Sequence, residues 1–137
     1  MEIVKKLQVP ADFFYQKVIE SVIYEVQDTT GRTLNESQLA GFEYVKKYND
    51  KTSATIKIES AKTNENYAFR TLTTRNDFHV EYQITAIDET SCEVKYTEKM
   101  NSKGWIQSMN DMVVGTMLGF LKKRQFKRML TMIEETY

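Results

Sequence analysis

Cysteine is almost absent from this chain of 137 residues: Cys92 is the only one. A single thiol excludes an intramolecular disulfide and a cysteine-based metal cluster. Histidine is equally scarce. With His79 the only histidine, expected on the solvent face, and Cys92 the only cysteine, neither a hydrolase triad nor a histidine-rich metal site is expected. One proline, Pro10, and five glycines leave no room for a Pro/Gly-rich linker. Nor is there a low-complexity tract or an internal repeat, so residues 1–137 read as one domain. Charge of a single sign is missing too. Lys plus Arg and Asp plus Glu each number 19, a formal net charge of zero. That balance gives no electrostatic footprint for a nucleic acid. The N-terminal MEIVKKLQV lacks the apolar core of a secretory signal, which together with the lone cysteine points to the reducing cytoplasm.

The longest uncharged run, residues 112–121, is followed by five cations within 122–128. Ten residues of helix reach about 15 Å, half the core of a bilayer, where about 20 residues are needed. The run cannot span. It reads as part of a buried helix, with contact between the basic segment Lys122, Lys123, Arg124, Lys127 and Arg128 and an anionic membrane surface as the alternative.

What is present is a change of hydrophobic period. Residues 2–9 alternate as a strand, with Ile3, Leu7 and Val9 on one side. In 10–27, Phe14, Val18, Ile19, Val22 and Val26 recur at steps of three and four, the apolar stripe of a helix. Pro10 suits its start and Asp12 the positive end of its dipole, while Thr29-Thr30-Gly31 stops it. Asn35 with Gln38 reads as the cap of a short second helix that ends at Gly41. From Phe42 to Tyr96 the period is two. Five strands are expected, inward at Phe42 and Tyr44, then Ala54, Ile56 and Ile58, then Tyr67 and Phe69. The last two place Phe78, Val80, Tyr82 and Ile84, and then Cys92, Val94 and Tyr96, on the same side. Short polar breaks between them predict an antiparallel meander with one apolar face. Such a face needs a cover. Residues 104–136 supply it as a long helix, with Trp105, Met109, Met112, Val113, Thr116 and Phe120 on one face and Phe126, Met129, Leu130 and Ile133 on another.

The order β-α-α-β-β-β-β-β-α resembles, over the whole chain, the helix-grip fold of the START-like superfamily (SRPBCC), which includes pollen-allergen-like and polyketide-cyclase-like proteins. This implies an α+β protein whose six-stranded antiparallel curved sheet wraps around the long C-terminal helix. More narrowly, VPADFF (9–14), GFEY (41–44), CEVKYTEKM (92–100) and SKGW…NDMVVGTMLGFLKKRQFK (102–127) are similar to a small family from Gram-positive bacteria known as a domain of unknown function. The superfamily resemblance implies a cavity between the concave sheet face and the long helix, used for lipids, hormones or aromatic polyketides. The glycine-rich loop between the second and third strands is missing here, where YNDKT (48–52) stands.

The expected cavity is lined by Phe42, Tyr44, Ile56, Phe69, Phe78, Val80, Tyr82, Tyr96 and Glu98 from the sheet. Trp105, Met109, Met112 and Val113 face them from the helix, with Trp105 near the entrance beside Gly104. Methionine adapts its shape and a buried tyrosine needs a partner for its hydroxyl, so such a pocket suits an amphipathic ligand. The residues favour a binding module for a small lipid-like or aromatic molecule, with no catalytic residue, metal or cofactor assigned. The competing class is a cyclase- or hydratase-type enzyme using the same cavity. It would need an inward acid, and Glu98 is the one candidate. His79, alternating with Glu81 and Gln83, is expected on the solvent face. Cys92 is expected inside as a small, inert hydrophobe.

Overall fold

In the computed structural model, residues 2–47, 50, 53–73, 76–102 and 126–136 are described, with backbone alone at 101 and 102. The chain opens with strand β1, Glu2–Leu7, whose inward residues Ile3 and Leu7 are buried. Pro10 then caps helix α1, Ala11–Thr30, with extended φ and ψ and with Asp12 in the first turn. A proline loses nothing there, since the first amides of a helix have no intrahelical acceptor. Gly31 ends the helix in the left-handed region, φ 77°, and its amide returns to the Gln27 carbonyl. That cap lets α1 run three residues beyond the apolar period.

The expected second helix is a single 3-10 turn, Glu36–Gln38. Gln38 Oε1 accepts the Asn35 amide at 3.0 Å, so the capping signal is genuine. Too few residues separate it from Gly41, at φ 87°, for an α-helical turn to propagate.

Five strands follow: β2 Glu43–Lys47, β3 Ser53–Lys62, β4 Asn66–Leu72, β5 Asn76–Asp88 and β6 Ser91–Ser102. All neighbours are antiparallel, and the sheet order is β1-β6-β5-β4-β3-β2. The first strand therefore closes against the last, with Ile3 opposite Tyr96 and Leu7 opposite Cys92. Alternation holds on the inner face, where Ala54, Ile56, Ile58, Tyr67, Val80, Ile84, Cys92, Val94 and Tyr96 are buried. A register shift between Ile58 and Ser60 leaves Glu59 as the extra residue of a bulge.

A C-terminal helix, α2, covers 126–135. Its Leu130 is wholly buried in the main core with Phe14, Leu39, Ile58 and Val94. Two polar contacts fix its other flank to the first strand region: Lys5 Nζ donates to Thr131 Oγ1 at 2.8 Å, and the Gln8 amide to Glu134 Oε2 at 2.7 Å. The core thus lies between the inner face of the sheet, α1 and α2. Among the described residues, no helix is long and apolar enough to cross a membrane. The expectations for 103–125, including Trp105, Met109, Met112 and Val113, lie outside the described residues.

Candidate functional site

The inner face of the sheet carries a row of aromatic side chains because the register sets tyrosines opposite one another. Tyr67 on β4 pairs with Tyr82 on β5, which pairs with Tyr96 on β6. Their rings lie 6.1 and 5.1 Å apart, tilted and edge-on, in the range favoured by aromatic pairs. Phe126 of α2 closes one end of the row, stacked on Tyr96 at 4.0 Å and tilted against Tyr82 at 5.9 Å. Phe69 continues the floor beside Tyr67, at 5.7 Å.

Where this floor meets α1, a cavity of about 190 Å³ remains. It is walled by Tyr44, Ile56, Tyr67, Phe69 and Tyr82 from the sheet and by Val18 and Val22 from α1. Met129 and Ile133 of α2 close it opposite. Lys17, Ser21 and Met129 are its more exposed lining residues, so the opening lies between the two helices. An apolar cavity of about 150 Å³ holds benzene, so this one accommodates a single substituted ring.

Its polar groups are few and sorted. At the α1 end, Glu25 accepts the Tyr44 hydroxyl at 2.7 Å and forms an ion pair with Lys46. Burial pushes the Glu25 carboxyl up, but the Lys46 and Tyr44 hydrogen bonds outweigh it and hold it below the usual range. At the other end of the floor, Tyr96 donates its hydroxyl to Glu98 at 2.9 Å. Between these pairs, the Tyr67 and Tyr82 hydroxyls have no hydrogen-bond partner among the described residues. Burial, reinforced by the Glu98 carboxylate, pushes Tyr82 up to about 12, and burial drives Tyr67 higher still. Both remain protonated phenols at neutral pH.

Of the nine sheet residues expected at the site, Tyr44, Ile56, Phe69 and Tyr82 line this cavity. Val80 and Tyr96 pack instead with Ile3 and Phe126 in an adjoining apolar cluster. Phe42 stacks on Tyr44 at 6.0 Å with Arg32 over its ring. Phe78 is half-buried opposite Thr71 and Met100. Glu98 is half-buried and bonded to an inward tyrosine, hence on the inner side. The wall from α1 escaped the sequence reading, which assigned that stripe wholly to core. Glu25 was detectable: on an ideal helix it falls roughly 20° from Phe14, a carboxylate between Phe14 and Val18 near one edge of the apolar stripe.

Two further expectations concern side chains away from the cavity. Cys92 is fully buried, and burial pushes its thiol up to about 11. His79 lies on the outer face with Nε2 3.5 Å from Glu59, in a group with Arg70, Asp77 and Lys99. Arg70 is tied there to Asp77 and to Glu59.

Two helices against the inner face of a six-stranded antiparallel curved sheet define an α+β helix-grip protein. Solved structures support that class. The Zhui aromatase/cyclase of a Streptomyces species is 14% identical with a TM-score of 0.60, over 99% of this chain and 91% of its own. Norcoclaurine synthase from Thalictrum flavum, solved with dopamine and hydroxybenzaldehyde, is 7% identical at 0.60, over 99% and 84%. Ara h 8.0201 is 11% identical at 0.58, over 99% and 95%. These likenesses establish the fold alone. By sequence, residues 1–119 match the family described as Domain of unknown function (DUF3284), and the chain belongs to it. No curated protein matches the chain.

Proposed function

We propose that this is a binding module of a bacterial cytoplasm, which holds a small apolar or amphipathic molecule between the sheet, α1 and α2. The observation that carries the reading is the cavity of about 190 Å³, apolar on its walls and open between the helices. Pockets that hold small molecules combine apolar walls with a few convergent polar groups, and the Tyr67 and Tyr82 hydroxyls supply these. That helix-grip neighbours include proteins acting on or solved with aromatic compounds supports the same reading. Trp105, Met109, Met112 and Val113 belong to the proposal as further lining from the segment before α2.

The test is a thermal-shift screen with one-ring and short-chain amphipathic compounds, run on the native chain and on Val22→Trp. A ligand specific to the folded state raises the melting temperature by mass action. The indole of Val22→Trp fills the cavity and removes that shift, while the circular dichroism stays unchanged. Shifts equal in the two proteins would refute the site.

A second reading, a cyclase- or hydratase-type enzyme, is favoured by one observation: Glu98 lies on the inner side, bonded to Tyr96. A carboxylate beside a phenol could exchange a proton with a ligand on the aromatic floor. Glu98→Gln would then abolish turnover while leaving ligand affinity in place. Equal turnover by Glu98→Gln would exclude Glu98 as the acid, and no turnover by the native chain would exclude the enzyme reading.

A further inference from the structure

We infer that the cavity selects a neutral one-ring aromatic compound carrying an oxygen acceptor, which the Tyr67 and Tyr82 hydroxyls hydrogen-bond. The inference rests on the binding reading above and adds the chemistry of the ligand. Size comes first: the cavity of about 190 Å³ holds one substituted ring, with the tilted faces of Tyr67, Tyr82 and Phe69 to pack against it. Polarity comes second. The Tyr44 hydroxyl is spent on Glu25, and Glu25 is engaged by both Tyr44 and Lys46. Apart from Lys17 and Ser21 at the opening, that leaves two phenols, directly opposite each other on neighbouring strands, with no protein hydrogen-bond partner among the described residues. Neither hydroxyl is sealed from solvent, so an apolar ligand that displaces solvent there strands both donors, while one supplying an acceptor satisfies them. A carbonyl oxygen has two lone pairs for two such donors.

Charge decides between acceptors. The ionised groups whose fields reach these hydroxyls are carboxylates, Glu25 at Tyr67 and Glu98 at Tyr82. A ligand carboxylate set on the hydroxyls would meet like charge at low dielectric. An ammonium group is drawn by the same field, but it has no lone pair to accept from the two hydroxyls. A neutral carbonyl meets neither objection.

The experiment compares four compounds of matched size on the native chain by calorimetric or NMR titration: acetophenone, ethylbenzene, benzoate and benzylamine. Acetophenone is expected to bind tightest. Losing both hydrogen bonds lowers affinity roughly thirtyfold for ethylbenzene, by the usual net value of two such bonds. Tyr67→Phe and Tyr82→Phe should each cut that preference to roughly fivefold, weakening acetophenone toward ethylbenzene and leaving ethylbenzene unchanged. Circular dichroism of both variants reports that the fold persists. Equal binding of acetophenone and ethylbenzene, or a preference for benzoate or benzylamine, overturns the inference while the binding reading stands. A variant that weakens acetophenone and ethylbenzene alike also overturns it, since packing rather than a hydrogen bond is then lost. Failure of all four to bind overturns the inference, and an empty thermal-shift screen as well overturns both readings.

Discussion

Replacing Phe126 by alanine should loosen α2 from the sheet, and its cost can be worked from the contacts. The ring lies 4.0 Å from Tyr96 and 5.9 Å from Tyr82, and is half-buried. A fully buried phenylalanine truncated to alanine costs about 3 to 5 kcal/mol. Scaling for partial exposure leaves about 2 kcal/mol, and loss of the stacked pair adds about 1 kcal/mol. With the usual unfolding entropy per residue, 1 kcal/mol lowers the melting temperature of a chain of this length by about 3 to 4 °C. A fall of roughly 10 °C is therefore expected by calorimetry. Phe126→Leu keeps most of the apolar contact and loses the ring stacking, so it should cost only about 1 kcal/mol. A fall below roughly 2 °C for Phe126→Ala would refute the reasoning, because α2 would then contribute nothing through its aromatic anchor.

The other predictions concern charge and reactivity. Glu25 has its folded-state pKa lowered, so its stabilisation is present above about pH 4.5 and is lost as pH falls through the folded value. With its side chain 38% exposed, the ion pair with Lys46 is discounted to about 1 kcal/mol or less. Glu25→Gln should flatten the acid side of a urea-midpoint-against-pH curve, and an unchanged slope would contradict the pairing. Cys92, fully buried with its thiol raised to about 11, should react with thiol reagents at pH 8 only on unfolding. Fast labelling of the native protein would show the thiol to be accessible. His79→Ala on the outer face should change the melting temperature by no more than about 2 °C and leave ligand binding untouched. A lost ligand shift would place the site on the wrong face.

How much of this could be read from residues alone depends on which physical signal each element carries. Period-two alternation made β2 to β6 legible, because a half-wet sheet face forces polar residues outward at every second position. The end caps of α1 were equally plain: only a proline start and a left-handed glycine stop suit those termini. Pairing of β1 with β6 was not legible, since Ile3 opposite Tyr96 spans nearly the whole chain and leaves no local trace. The short second helix was overread. Asn35 and Gln38 do cap, but a cap cannot lengthen a segment that Gly41 terminates. The inward direction of Tyr44, Tyr67, Tyr82 and Tyr96 followed from alternation, yet their division between cavity and solid core did not. That division depends on how closely α1 approaches: Val18 and Val22 face the cavity where periodicity assigns simple core, and Glu25 joins them there. Periodicity states which face is turned inward, while a gap between two faces is set by their distance.

Chemical-shift titration of the native protein with acetophenone tests the central claim most directly, because it reports where a ligand sits as well as whether it binds. The account predicts saturable shifts concentrated at Val18, Val22, Ile56 and Ile133, which wall the cavity on three elements. It predicts none at Thr55 or Thr85, which alternate onto the outer face. Non-saturable changes, or shifts centred on the outer face around Arg70 and His79, would contradict it.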